Sequence, residues 1–201
     1  MKILAVGAHP DDIEFGCFGT LSYYNSKKHK IYLILFSSGE KQGNKELREK
    51  ESKLSAKLIN AEIEFLRLPD TNINANSKNI DDFRNYIKKI KPDILFTHYP
   101  EDTHQDHRNT THICLSSRIS INRILFYEGP TSNNFSPNVF YVINEHFNIK
   151  IEGLKKHKSQ EVRPYLNIDA ISGLARYRSY QCGMFGSLCE AFYNYKWIEN
   201  E

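Results

Sequence analysis

Short apolar runs recur along the first two thirds of the chain, separated by segments whose apolar residues repeat at helical spacing. Residues 2–7 follow one Lys with Ile, Leu, Ala, Val and Gly and offer no polar face, as expected of a central parallel strand buried on both sides. Residues 31–36 and 93–98 are similar, and 62–68 and 123–127 predict two more strands. Between them, residues 16–28 carry Phe18, Leu21 and Tyr24 at helical spacing. Residues 44–60 place Leu47, Leu54 and Leu58 on one face, and residues 79–90 do the same with Phe83, Ile87 and Ile90. A further helix is predicted at 108–117, and the Asn-rich stretch 71–78 reads as a mobile loop. This alternation predicts an α/β fold: a Rossmann-like open, mainly parallel sheet with helices on both faces. The remainder is less regular, with strands predicted at 138–143 and 190–197 and helices at 145–160 and 168–181. No repeat or linker interrupts it, so residues 1–201 are expected to form a single domain.

Charge and composition narrow the function classes. Lys+Arg 27 against Asp+Glu 24 leaves a formal net charge of +3, too small for a nucleic-acid surface. No apolar run approaches the roughly 18 residues of a membrane span. The first run breaks at His9-Pro10-Asp11-Asp12 with no small-residue cleavage site, so it reads as a strand and not a signal peptide. Cys17, Cys114, Cys182 and Cys189 are scattered without a CxxC pair. They are expected to be reduced thiols of a cytoplasmic protein, not a zinc–cysteine site.

The candidate chemistry lies at two strand ends. Ala8-His9-Pro10-Asp11-Asp12 follows the first strand directly, and open α/β sheets bind ligands outside the carboxyl ends of their strands. His9 and Asp12, three apart, can face one point in a tight turn while Asp11 faces elsewhere; imidazole and carboxylate both suit a borderline divalent metal. The second group, His98-Tyr99-Pro100-Glu101-Asp102-Thr103-His104-Gln105-Asp106-His107, holds three His and two Asp at the end of the fourth strand. If the strand order reverses between the first and fourth strands, both loops flank one crevice. Together they could supply His9, Asp12 and one more His, leaving a coordination position open as in a catalytic zinc site. Read singly, the first motif could be a helix cap and the second a polar loop; their joint placement favours a site.

These two segments resemble the paired signatures of the LmbE/PIG-L family of metal-dependent, usually zinc-dependent, deacetylases of N-acetylglucosamine-type groups. Later segments fit the same family: Leu47-Arg48 with Glu51-Ser52, Leu68-Pro69-Asp70, Gly129-Pro130-Thr131, His157-Lys158-Ser159-Gln160 and Tyr180-Gln181-Cys182-Gly183. The resemblance implies metal ligands His9, Asp12 and His107, with Asp11 as the general base toward a metal-activated water. It implies that His104 stabilises the oxyanion or helps protonate the leaving amine, oriented by Asp106. Arg48 and Asp70 are candidates for holding substrate; each also has a bland reading, Arg48 as a surface ion pair with Glu51 and Asp70 as a turn residue. His98 and Asp102 are placed behind the ligands, and His157 has no assigned role. Some family members carry a Tyr two positions before the residue corresponding to His104; here that position is Asp102, and Tyr99 is out of register.

The implied reaction is hydrolysis of an N-acetyl amino sugar or its conjugate, a small-molecule substrate. Zn²⁺ is the expected cofactor, with Fe²⁺ also suited to the ligand set. Nucleic acid is not an expected partner and no membrane span is expected; assembly into a homo-oligomer is possible. The rivals are an amidase acting on a larger acyl group or a thiol-sugar conjugate, and a metal- or sugar-binding protein without turnover. A dinucleotide-binding domain is disfavoured because no G-x-G-x-x-G follows the first strand.

Overall fold

The apolar run Lys2–Gly7 is strand β1, and its alternate residues supply two different cores. Ile3 and Ala5 join one buried cluster, and Leu4 and Val6 join another on the opposite face, because successive strand side chains point to opposite sides. The computed structural model describes residues 1–118 and 121–199; the expected domain 1–201 includes four positions outside them. β1 pairs in parallel with β2 (Lys30–Leu35) and β4 (Ile94–His98), β2 with β3 (Glu62–Phe65), and β4 with β5 (Arg123–Tyr127). Two antiparallel strands, β6 (Val139–Val142) and β7 (Cys189–Trp197), complete a seven-stranded sheet of order β3-β2-β1-β4-β5-β7-β6. The order reverses between β1 and β4, as the sequence analysis requires for a shared crevice.

Helices cover both faces. On one side lie α1 (Asp12–Gly16), α2 (Phe18–Ser26) and α3 (Lys45–Leu58), whose Ile13, Phe18, Leu21 and Ala56 enter the first cluster. On the other lie α4 (Ser77–Ile90) and α5 (Gln105–Ser116), contributing Phe83, Ile87, Ile113 and Cys114 to the second. The helix predicted at 145–160 is shorter: α6 (Phe147–Leu154), followed by a 3₁₀ turn at Lys158–Gln160. The last helix is α7 (Ile168–Gln181), after a 3₁₀ turn at Pro164–Leu166. Among the described residues no helix is long and apolar enough to cross a membrane.

Two local features position the site. The predicted helix 16–28 begins earlier and is broken at Cys17, where Gly16 passes so close to Tyr127 that a Cβ would lie 2.2 Å from its ring. The Tyr127 hydroxyl in turn donates to the Val6 carbonyl at 2.8 Å. Gly16→Ala is therefore expected to cost about 1–3 kcal/mol of stability through overpacking; a denaturant midpoint equal to the parent's would show that Tyr127 yields freely. The start of α2 has no local side-chain cap. It is served from far along the chain by Glu190 of β7, whose carboxylate accepts from Gly19 N at 3.0 Å and Thr20 N at 2.7 Å and pairs with buried Lys150 at 2.6 Å. An anion at a helix N-terminus satisfies orphan donors and complements the helix dipole.

The 71–78 stretch is not the loose loop expected. Ile73 is fully buried, Thr71 N and Ile73 N both donate to the Asp106 carboxylate, and Asn76 caps α4 by accepting from Asn79 N at 2.9 Å.

Candidate active site

The turn after β1 and the start of α5 meet at the β1/β4 switch point. Helix α5 begins earlier than predicted, at Gln105, with His104 as its cap: His104 Nδ1 accepts the Asp106 backbone N–H at 3.2 Å. Asp106 and His107 therefore sit on a first helical turn, not in a loop. The two strand ends are tied directly, since Ala8 N donates to His98 Nε2 at 3.1 Å. His98 also stacks on His107 with ring centroids 4.0 Å apart.

His9, Asp12 and His107 offer donor atoms that all lie within 4.8 Å of one another. His9 Nδ1 is 3.5 Å and His107 Nε2 3.4 Å from Asp12 oxygens. The other nitrogen of each imidazole is held by carboxylates. His9 Nε2 lies 3.1 Å from both Asp70 and Asp106, and His107 Nδ1 lies 3.1 Å from Asp102. Carboxylates in those places fix the tautomer so that the facing nitrogen presents a lone pair, the usual arrangement behind metal-ligating histidines. Two further trios, His9–His104–Asp106 and His98–Asp102–His107, are equally close-set. Only His9, Asp12 and His107 all open onto the cavity of about 230 Å³ at this end of the sheet. The donor set of two imidazoles and one carboxylate suits a divalent ion.

Asp11 stands beside this trio. Its φ of 95° is in the left-handed region, a conformation that Asp tolerates better than most residues but at some cost. The carboxylate is buried and lines the cavity. It accepts from the Tyr165 hydroxyl at 3.2 Å and lies 3.5 Å from Arg48 Nη2.

The charges are strongly perturbed. Burial and the neighbouring Asp12 carboxylate push Asp11 up to about 6, against the pull of His157 and Arg48. Burial disfavours the Asp12 anion, yet His107 and His98 hold it well below the usual carboxylate range. Burial works against the Asp102 anion too, but its bond to His107 brings it down to about 2. His107 is raised to about 9 by Asp12 and Asp102 despite burial, and burial drops His98 to about 4, with His107 adding to the effect.

Several expected roles change. Asp106 does not orient His104 through its carboxylate, which is spent on His9, Thr71 N and Ile73 N; only its backbone N–H reaches His104. Arg48 is not a surface partner of Glu51. It is buried, donates to the carbonyls of Gly39 and Pro10 at 2.8 Å each, and faces Asp11; Glu51 instead accepts from Ser159. Asp70 lines the cavity, yet its oxygens already meet His9 and Lys41 N. Tyr99 packs among Phe126, Phe135 and Tyr193, outside the cavity wall. The tyrosine at the cavity is Tyr165, 154 residues from its Asp11 partner, and no local motif announces it. Thr131, within the quoted Gly129-Pro130-Thr131, holds Asp102 with a 2.6 Å bond. His157 is buried, with Nε2 3.0 Å from Glu14.

Comparison with known proteins agrees with this geometry. The family profile described as "PIG-L: GlcNAc-PI de-N-acetylase" matches residues 4–117, which include both strand-end motifs. YaiS of Escherichia coli K12, named as an uncharacterized deacetylase, is 32% identical over 167 residues, covering 78% of this chain and 90% of that protein. The solved structure of N,N'-diacetylchitobiose deacetylase from Pyrococcus horikoshii superposes with a TM-score of 0.84 at 20% identity, over 97% of this chain and 84% of its own. GalB, the 4-carboxy-2-hydroxymuconate hydratase from Pseudomonas putida KT2440, superposes with a TM-score of 0.87 at 17% identity, over 100% and 98%. A deacetylase and a hydratase share the fold, so the fold alone does not choose the chemistry. The match over residues 4–117 and the kinship with YaiS do decide the lineage: this chain belongs to the PIG-L/LmbE family.

Proposed function

We propose that the protein is a metal-dependent hydrolase that removes the N-acetyl group from an N-acetylglucosamine-type sugar or its conjugate. The observation that carries this reading is a buried carboxylate, Asp11, standing in the same cavity as the three-donor cluster without belonging to it. His9 Nδ1, Asp12 and His107 Nε2 would hold the ion; two imidazoles and one carboxylate suit Zn²⁺, and Fe²⁺ suits the same set. Such an ion supplies a Lewis acid that polarises the acyl carbonyl and acidifies water next to it.

Asp11 takes the proton of the water that attacks the carbonyl carbon. Tyr165 and Arg48 aim the Asp11 carboxylate, and burial raises its basicity. Because His104 Nδ1 accepts the Asp106 N–H, the neutral ring carries its proton on Nε2. From there it donates to the carbonyl oxygen as negative charge develops. When the C–N bond breaks, Asp11 returns its proton to the departing amine, leaving acetate and a free amino sugar. Asp70 and Asp106 keep His9 in place, and Asp102 and Thr131 keep His107 in place. Gln42, Arg163 and Pro130 complete the wall that faces the rest of the substrate.

The test is release of free amine from a panel of N-acetyl sugars and conjugates by Zn²⁺-reconstituted protein. Turnover of an N-acetylglucosamine-type substrate, lost on chelation and restored by metal, is expected. Release from longer acyl or thiol-sugar conjugates alone would give the amidase reading, and sugar binding without any release would make the protein a non-catalytic binder.

A further inference from the structure

The junction of α7 and β7, outside the walls of the catalytic cavity, brings two thiols together. Cys182 ends α7, Cys189 opens β7, and their Sγ atoms are 4.0 Å apart. The residues between them form a surface turn in which Met184 is 48% and Phe185 70% exposed. Gly183 and Gly186 in this turn have φ of +77° and +82°, and nothing lies within 4 Å of where their Cβ atoms would be. A disulfide needs the sulfurs about 2 Å apart. The remaining gap of about 2 Å must be closed by side-chain rotation and by movement of the turn, where Gly183 and Gly186 have open space around them. Cys182 is half-buried and its Sγ donates to the Ser179 carbonyl at 3.4 Å, whereas Cys189 is buried.

We propose that Cys182 and Cys189 form an oxidation site, a reversible intramolecular disulfide made by exchange with a small disulfide of the oxidised-glutathione class. The accessible Cys182 thiolate attacks one sulfur of the small disulfide; that S–S bond breaks and one small thiol leaves with the proton Cys182 gave up. Cys189 then loses its proton and attacks Cys182 Sγ, expelling the second small thiol. Two protein thiols are oxidised and one small disulfide is reduced to two thiols. Burial and the neighbouring Cys182 thiol push Cys189 up to about 12; capping Cys182 as the mixed disulfide removes the neighbour's part and eases the second step. Cys17 and Cys114 are fully buried in the cores on opposite faces of the sheet and serve as internal controls. The proposal is independent of the hydrolase reading.

The experiment is incubation of the full chain with oxidised glutathione, followed by thiol counting in denaturant, peptide mapping and thermal melting. Free thiols should fall from the present four to two, with a 182–189 crosslink in the map. The crosslink restricts the unfolded chain, so Tm should rise by about 5 °C and fall back with dithiothreitol. Cys182→Ala, at a half-buried helix end, should fold, keep its remaining thiols free and show no such rise. Four surviving thiols, a glutathione adduct that stays on Cys182, or a crosslink through Cys17 or Cys114 would each overturn the proposal.

Discussion

Asp11→Asn is expected to lower kcat by about 10²-fold or more while metal content and KM stay near those of the parent. Asparagine has nearly the same shape and is among the residues that best tolerate the left-handed backbone found here, so the turn at φ 95° should persist. Its amide oxygen can still accept from Tyr165 and Arg48, and only the basic charge is lost. The same carboxylate fixes the sign of the pH dependence. A general base works when deprotonated, so kcat/KM should fall as pH drops through the Asp11 pKa, which burial and Asp12 raise to about 6. A cation beside Asp12 draws that value down, placing the limb at or below about pH 6, and Asp11→Asn should erase it. A kcat within a few-fold of the parent would shift the base role to His104; loss of metal along with turnover would make Asp11 a ligand.

His107→Ala should release the metal and bring turnover to the level of the chelated parent, since it removes one of three donors from the cluster. Asp102→Asn should act more mildly, weakening metal affinity about 10–100-fold, because Asp102 touches His107 only at the nitrogen turned away from Asp12. Elemental analysis of the desalted proteins, with a chelator competition, reads both. Full metal retention by His107→Ala would remove it from the ligand set. Equal loss in the two variants would mean that Asp102 holds the local fold and not merely the ring.

The parallel half of the fold and the two His/Asp-rich segments at its strand ends were legible because their signals are local. A strand buried on both faces must be apolar throughout, and His9, Asp11 and Asp12 follow such a strand immediately. What escaped depends on partners remote in sequence. Asp106 is one residue from His107, yet its carboxylate serves His9 and the backbone at Thr71 and Ile73; nothing in its own segment distinguishes orienting His104 from that task. Arg48 looks like one half of a helical ion pair until the Gly39 and Pro10 carbonyls turn it inward. Tyr165 belongs to a short 3₁₀ turn with no periodicity, and its meaning comes only from folding against Asp11. The antiparallel β6 and β7 read as strands, but their pairing with each other and with β5 has no local mark.

The placement of β7 between β5 and β6 has a consequence for how the molecule matures on the ribosome. β6 pairs only with β7, so it emerges from the exit tunnel with no neighbour to receive it, and β5 remains an open edge until residues 189–197 follow. The same late strand carries Glu190, whose carboxylate supplies the missing cap of α2. Because synthesis runs from the N-terminus, the His-Pro-Asp-Asp turn is made long before β7, the strand whose Glu190 supports the start of α2. A nascent chain that has already made all three proposed metal ligands therefore still lacks the strand that closes its sheet and anchors the helix behind them.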